Sequence, residues 1–175
     1  MRHRPFAVVV LAVMLATSVA WGQQGTVQVQ PQDEMAKFLP ATVFLDGENV
    51  PTQKRNAVLV QIAGKKTIFS LVDTSGYSAA YQQKYIGVVL TQGPVKIGSS
   101  TLAPGAYGFG ESKAGDQNNA AVTLHIYDIG GKEVAQVPTE HQSDMKGVRP
   151  LQVKIGGDGA ALYLGPYHVT LAPGE

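Results

Sequence analysis

The sequence predicts an all-β protein, built as a sandwich or closed barrel of about ten short antiparallel strands. The chain of 175 residues contains 20 glycines and 10 prolines, which are spread along its length. Short runs rich in Val, Ile and Phe lie between them, and several alternate between apolar and polar residues. Many short strands separated by turn residues are typical of an all-β fold.

The first 22 residues predict a signal peptide. Basic residues occupy positions 2–4, an apolar run covers 6–19, and small residues at Ala20 and Gly22 mark a cleavage site. We therefore expect export to the periplasm or the extracellular space, with no integral membrane segment in the mature chain. The sequence has no cysteine, which excludes lipidation at cysteine, disulfides and thiolate chemistry.

The charge balance of the mature chain argues against nucleic acid as a partner. Removing Arg2 and Arg4 from 14 basic residues leaves 12 against 13 acidic residues. Proteins that bind nucleic acid usually carry a basic excess or stripe. We expect no nucleic-acid partner.

The mature chain is predicted as a flexible leader over 23–32 followed by one β-domain over 33–175. A short helix is predicted at 33–39, with Asp33 as its cap and with apolar residues at helical spacing before Pro40. Strands follow, and two of them form a hairpin around Gly64. A second helix is predicted at 78–85.

The second half of the domain is predicted to be β throughout. The glycines on either side of Phe109 lie on the face opposite Tyr107 and Phe109, and a polar loop begins at Glu111. Strand 121–129 places Val122, Leu124 and Ile126 on one face, and His125 and Tyr127 on the other. Three further strands, near 151–155, 160–164 and 167–171, complete the sheet.

Residues 56–76 resemble the first hairpin and active-site loop of retropepsin-like aspartic proteases. In that family an apolar strand delivers Asp-Thr-Gly to a dimer interface, and here the strand ends in Asp73-Thr74-Ser75-Gly76. The resemblance implies a homodimer with Asp73 and Thr74 in the catalytic loop, and residues 162–165 match a later element. Ser75 stands where the family has glycine, and the same residues also fit an ordinary turn.

Tyr77, Tyr81 and Tyr85 recur every four residues, which places their rings on one side of the predicted helix. This stripe is either a ligand-binding surface that stacks on sugar rings or a partner, or the buried side of the helix with its hydroxyls at the rim. Substitution separates the two interpretations, because only buried tyrosines lower the melting temperature when they are removed.

His125, Tyr127 and His168 lie on the polar faces of predicted strands, and they would form one patch if those strands were neighbours. Glu140, His141 and Asp144 are the remaining residues with metal-binding side chains nearby, and they fall in a predicted loop without fixed geometry. Solvated residues on the polar face of a sheet explain these histidines equally, so we predict no metal site. Signatures for phosphate and dinucleotide binding are also absent, and we predict no cofactor.

Residues 94–109 look like a hairpin found in small exported bacterial β-domains of unknown function, of the DUF2911 type. This resemblance implies a fold and a compartment, but no catalytic residues. The leading hypothesis is a non-enzymatic exported module that binds a small molecule, a glycan or an envelope protein. The alternatives are the homodimeric aspartic protease and a structural subunit whose strand edges pair with partners.

Overall fold

The computed structural model describes residues 26–114, 121–143, 149–156 and 159–174, and the predicted signal peptide lies outside them. In this part of the chain there are 14 strands and two helices. In order they are β1 (Val27–Val29), α1 (Gln32–Phe38), β2 (Thr42–Leu45), β3 (Glu48–Ile62), β4 (Lys65–Val72), α2 (Ala79–Lys84), β5 (Gly87–Thr91), β6 (Val95–Ile97), β7 (Ser100–Leu102), β8 (Gly105–Ala114), β9 (Ala121–Asp128), β10 (Glu133–Pro138), β11 (Glu140–His141), β12 (Leu151–Gly156), β13 (Gly159–Leu164) and β14 (Tyr167–Pro173).

The strands form two antiparallel sheets, which confirms the predicted all-β class. The first sheet has the order β1-β3-β4-β5-β8-β9-β10, with β2 added to β3. The second has the order β12-β13-β14-β6-β7, with β11 added to β14. Of the two predicted architectures, the sandwich-like one is observed.

The main core lies between the inner faces of the two sheets. Phe69 and Phe109 from the first sheet are fully buried there together with Leu162 and Ile97 from the second. Each such side chain contributes about 1.5–3 kcal/mol by leaving water. On β9 the buried residues are Val122, Leu124 and Ile126, so His125 and Tyr127 lie on the outer face of the first sheet, as predicted.

The hairpin predicted around Gly64 joins β3 and β4. Ala63 and Gly64 both have positive φ, 47° and 77°, as a two-residue turn between twisted strands requires. Part of the predicted flexible leader is a strand, because Val27–Val29 pair with Val60–Ile62 at the edge of the first sheet, whereas residues 23–25 lie outside the described residues.

Helix α1 covers part of the outer face of the first sheet. Met35 and Leu39 are buried against Leu59 and other residues of that face, whereas Phe38 is 43% exposed. The predicted cap was wrong: Asp33 lies inside the first turn, and the N-cap residue is Pro31. The acidic side chain is still favourable at that end of the helix dipole.

Helix α2 also packs on the outer face of the first sheet, against β8. A side chain at Gly108 would collide with the ring of Tyr85, since an added Cβ would lie 2.6 Å from it. The glycines of β8 therefore admit the helix, while Phe109 faces the core. Neither helix of the described chain is long and apolar enough to cross a membrane.

Candidate functional site

Five aromatic rings form a continuous row on the outer face of the first sheet, and we call this row the aromatic ladder. Ring centroids are 5.0 Å apart for Tyr77 and Tyr81, 4.8 Å for Tyr81 and Tyr85, and 5.4 Å for Tyr85 and Tyr127. His125 ends the row at 6.4 Å from Tyr127. Each of the five rings therefore contacts at least one other ring of the row, stacked, tilted or edge-on.

The tyrosine hydroxyls of the ladder hold the β2–β3 hairpin. Tyr77 donates to the carbonyl of Asn49 at 2.7 Å, and Tyr81 donates to the carbonyl of Leu45 at 2.9 Å. Tyr85 donates to Asp46 Oδ2 at 3.2 Å. Burial raises the pKa of Tyr81 to about 12. The geometry favours the structural interpretation of the stripe, with Tyr85 fully buried.

The stripe extends beyond the helix that predicted it. Helix α2 has only six residues, and Ser78 is its N-cap and accepts a hydrogen bond from the amide of Tyr81 at 3.3 Å. Tyr77 precedes this cap and Tyr85 follows the last helical residue. The three rings still lie in one row, with Tyr77 stacked on Tyr81 and Tyr81 tilted against Tyr85.

An ion pair between Lys84 and Asp46 joins α2 to the β2–β3 turn. Lys84 Nζ is 2.9 Å from Asp46 Oδ2 and donates to the carbonyl of Gly131 at 2.8 Å. It also lies 5.0 Å from the ring centroid of Tyr127. The hydrogen bond from Lys84 lowers the pKa of Asp46. Sequence reasoning missed this pair, because Asp46 and Lys84 are 38 residues apart and no local pattern connects them.

His125 is hydrogen-bonded through both ring nitrogens. Its Nε2 is 2.7 Å from Ser112 Oγ, and its Nδ1 is 3.2 Å from Glu133 Oε2. The three residues come from the neighbouring strands β8, β9 and β10. Ser112 and Glu133 were not predicted as site residues.

His168 lies on the other side of the molecule, on the outer face of the second sheet. Its ring stacks on Tyr163 at 4.9 Å, and its Nε2 is 3.5 Å from Glu140 Oε2. Since β9 and β14 belong to different sheets, the condition for a shared patch of His125 and His168 is not met. Such pairings are long-range, and the alternation within one strand does not encode them.

Asp73 and Thr74 follow β4 at one end of the first sheet. Asp73 Oδ1 accepts hydrogen bonds from the Ser75 hydroxyl at 2.7 Å and from the Ser75 amide at 3.1 Å. These hydrogen bonds, the hydroxyl first, lower the pKa of the exposed Asp73 carboxyl. Within the described chain the motif therefore forms a local turn in which the side chain caps its own backbone.

A cleft of about 370 Å³ opens between the two sheets beside Thr74. Its walls are mostly apolar, with Leu71 from the first sheet and Leu164 from the second. Glu111 of β8 lies in this cleft, and its carboxyl group is more than half buried. Glu111 was predicted to start a polar loop, but β8 continues through it to Ala114. Its spacing from Phe109 was the signal that it faces inward.

Burial raises the pKa of Glu111, and the positive charge of Lys113 opposes this only in part. The ionised carboxylate is thus less favourable in the folded chain than in the unfolded chain. The destabilisation is present above the folded-state pKa and is relieved as the pH falls toward the unfolded value.

We expect Glu111→Gln to raise the melting temperature at pH 7 and to leave it nearly unchanged at about pH 3, where glutamate is protonated in both states. Differential scanning calorimetry at the two pH values measures this. Glu48→Gln, at an exposed glutamate of β3, is the control and should change little. A lower melting temperature for Glu111→Gln at pH 7 would show that the carboxylate has a stabilising partner.

No group of three or more His, Asp or Glu side chains within the described residues could hold a metal ion. Of the residues considered for such a group, Asp144 lies outside the described ranges. Those that are described divide between the two sheets, with His125 on the first, and Glu140, His141 and His168 on the second.

No protein-family model, no curated protein and no solved structure matches this chain. The resemblance of residues 94–109 to exported bacterial β-domains therefore stays a prediction. The function proposed below therefore depends on the arrangement of this protein's own residues.

Proposed function

We propose that this protein is an exported domain that binds a small molecule in the cleft between its sheets. The observation that supports the proposal most strongly is Glu111, a carboxylate more than half buried in a cleft with mostly apolar walls. The ligand would place an apolar body between the sheets and a cationic or hydrogen-bond-donating group at Glu111. Export rests on the first 22 residues, and the place of action is the periplasm or the extracellular space.

The size and chemistry of the cleft fit this function. A volume of about 370 Å³ is in the usual range for small-molecule sites, which combine apolar walls with a few polar groups. A carboxyl group whose pKa is shifted by burial inside such a cleft is a further mark of a binding site.

The cleft also contains a polar side chain that is held in place by its own contacts. The side chain of Gln53 lines the cleft and donates through Nε2 to the carbonyl of Val72 at 2.9 Å. Its Oε1 accepts from Asn56 Nδ2 at 2.7 Å. A side chain fixed in this way loses little entropy when a ligand meets it.

Two probes of matched size test the proposal, benzylamine with a cationic group and benzyl alcohol with a neutral one. We expect saturation-transfer NMR to detect both probes at millimolar concentration, with benzylamine bound more tightly at neutral pH. Glu111→Gln should weaken benzylamine binding by about tenfold or more, as the loss of a charged hydrogen-bond partner predicts. Binding of benzyl alcohol should change much less.

Two control variants and the pH dependence of binding test whether the probes bind in the cleft. Thr74→Trp places an indole at the cleft and should weaken both probes, whereas Ser112→Ala on the opposite face of β8 should affect neither. Benzylamine binding should also fall as the pH is lowered and Glu111 becomes protonated. If neither probe binds, or if Thr74→Trp leaves both affinities unchanged, the cleft is not the binding site.

A further inference from the structure

Ser112, His125 and Glu133 form a linear hydrogen-bonded trio on the outer face of the first sheet. The hydroxyl of Ser112 meets His125 Nε2 at 2.7 Å, and Glu133 Oε2 meets His125 Nδ1 at 3.2 Å. Neighbouring antiparallel strands supply the three residues, so their backbones are fixed relative to one another by the sheet.

We propose that this trio is an acyl-transfer site that hydrolyses small esters. Ser112 is the nucleophile, His125 is the general base, and Glu133 is a positioning residue that orients the imidazole. The arrangement has the order that nucleophilic catalysis by serine needs, with the hydroxyl on one ring nitrogen and the carboxylate on the other. This activity is separate from ligand binding in the cleft.

The burial of the three residues fits these roles. Ser112 is exposed, so an ester carbonyl can approach its oxygen from solvent. The side chain of His125 is only 18% exposed, because it lies against Tyr127 and between its two hydrogen-bond partners. Thr123 on β9 is the direct cross-strand neighbour of Ser112.

The reaction proceeds in two balanced steps. Ser112 Oγ attacks the ester carbonyl while its proton passes to His125 Nε2, and the alcohol leaves with that proton as the ester C–O bond breaks. Water then attacks the acyl-serine, His125 accepts one of its protons, and Ser112 regains a proton as the acid is released. Ser112 is exposed on the sheet face, and none of the described cavities that could hold an acyl chain is lined by the trio, so we assign esters with short acyl groups such as acetyl as substrates.

The test uses p-nitrophenyl acetate as substrate and diisopropyl fluorophosphate as a label. In the unsubstituted protein, mass spectrometry should locate the label on Ser112. We expect Ser112→Ala to hydrolyse the ester at least tenfold more slowly and to take up no label. Ser99→Ala, at an exposed serine of the β6–β7 turn, should keep both. Circular dichroism confirms that each variant is folded.

Glu133→Gln tests the positioning role. We expect it to lower kcat about tenfold with little change in KM, because the glutamine no longer stabilises the imidazolium that forms during the reaction. An unchanged hydrolysis rate in Ser112→Ala, or a label on any residue other than Ser112, would overturn the proposal.

Discussion

Replacing Tyr85 with alanine lowers the free energy of unfolding by about 3–5 kcal/mol, the range for removing a large buried aromatic ring. The side chain is fully buried, and its ring lies between Tyr81 and Tyr127 in the aromatic ladder. The substitution also removes the hydroxyl that donates to Asp46, so the β2–β3 hairpin loses one of its three attachments to the ladder. Urea denaturation followed by circular dichroism measures the change.

Two further variants divide the effect of Tyr85 into its parts. Tyr85→Phe keeps the ring and removes only the hydroxyl, and we expect a loss of about 1 kcal/mol, typical of one hydrogen bond. Tyr77→Ala should cost less than Tyr85→Ala, because Tyr77 is only partly buried. If Tyr85→Ala were as stable as the unsubstituted protein, the aromatic ladder would not be part of the folded core. The interpretation of Tyr77, Tyr81 and Tyr85 as a ligand-binding surface would then gain support.

Gly110→Ala should be the second most damaging of the changes considered. An added Cβ at Gly110 would lie 2.1 Å from the carbonyl oxygen of Lys84. This neighbour is backbone, so it cannot rotate away, and α2 has to move off β8. We expect a loss of about 2–3 kcal/mol, near the upper part of the usual range for overpacking.

A thermal melt, together with the near-ultraviolet circular dichroism of the tyrosines, tests the prediction for Gly110. The near-ultraviolet signal should weaken in the variant, since displacement of α2 disturbs the stacked rings. Gly76→Ala is the matched control, because an added Cβ there meets nothing within 4 Å, and its effect should stay within about 0.5 kcal/mol. Equal melting temperatures for the two variants would contradict the close packing of α2 on β8.

Local patterns predicted the elements of this fold well. The turn residues around Gly64 located a hairpin that the structure contains. The alternation along β9 assigned its inner and outer faces. Both features depend on residues that are close in sequence, where backbone sterics and the period of a strand determine the outcome.

The candidate sites depend on long-range pairings, and those were much harder to predict. No local pattern shows that Ser112 and Glu133 meet His125, because their contacts arise from strand order and from a bulge between Glu133 and Ala135. His125 and His168, which were predicted to share a patch, likewise lie in different sheets. Glu111 was missed for a different reason, since a polar, glycine-containing stretch after Phe109 suggested a loop.

Glu111 and Ser112 are adjacent in β8, yet Glu111 lines the cleft between the sheets and Ser112 lies on the exposed outer face of the first sheet. Pairing with β9 fixes both side chains in these opposite environments. Inserting a single residue into β8 ahead of them would move each side chain to the opposite face of the sheet, with the hydroxyl turned toward the cleft and the carboxylate toward solvent. The register of β8 therefore determines, as much as the residue types do, which functional group faces the cleft and which faces the outer surface.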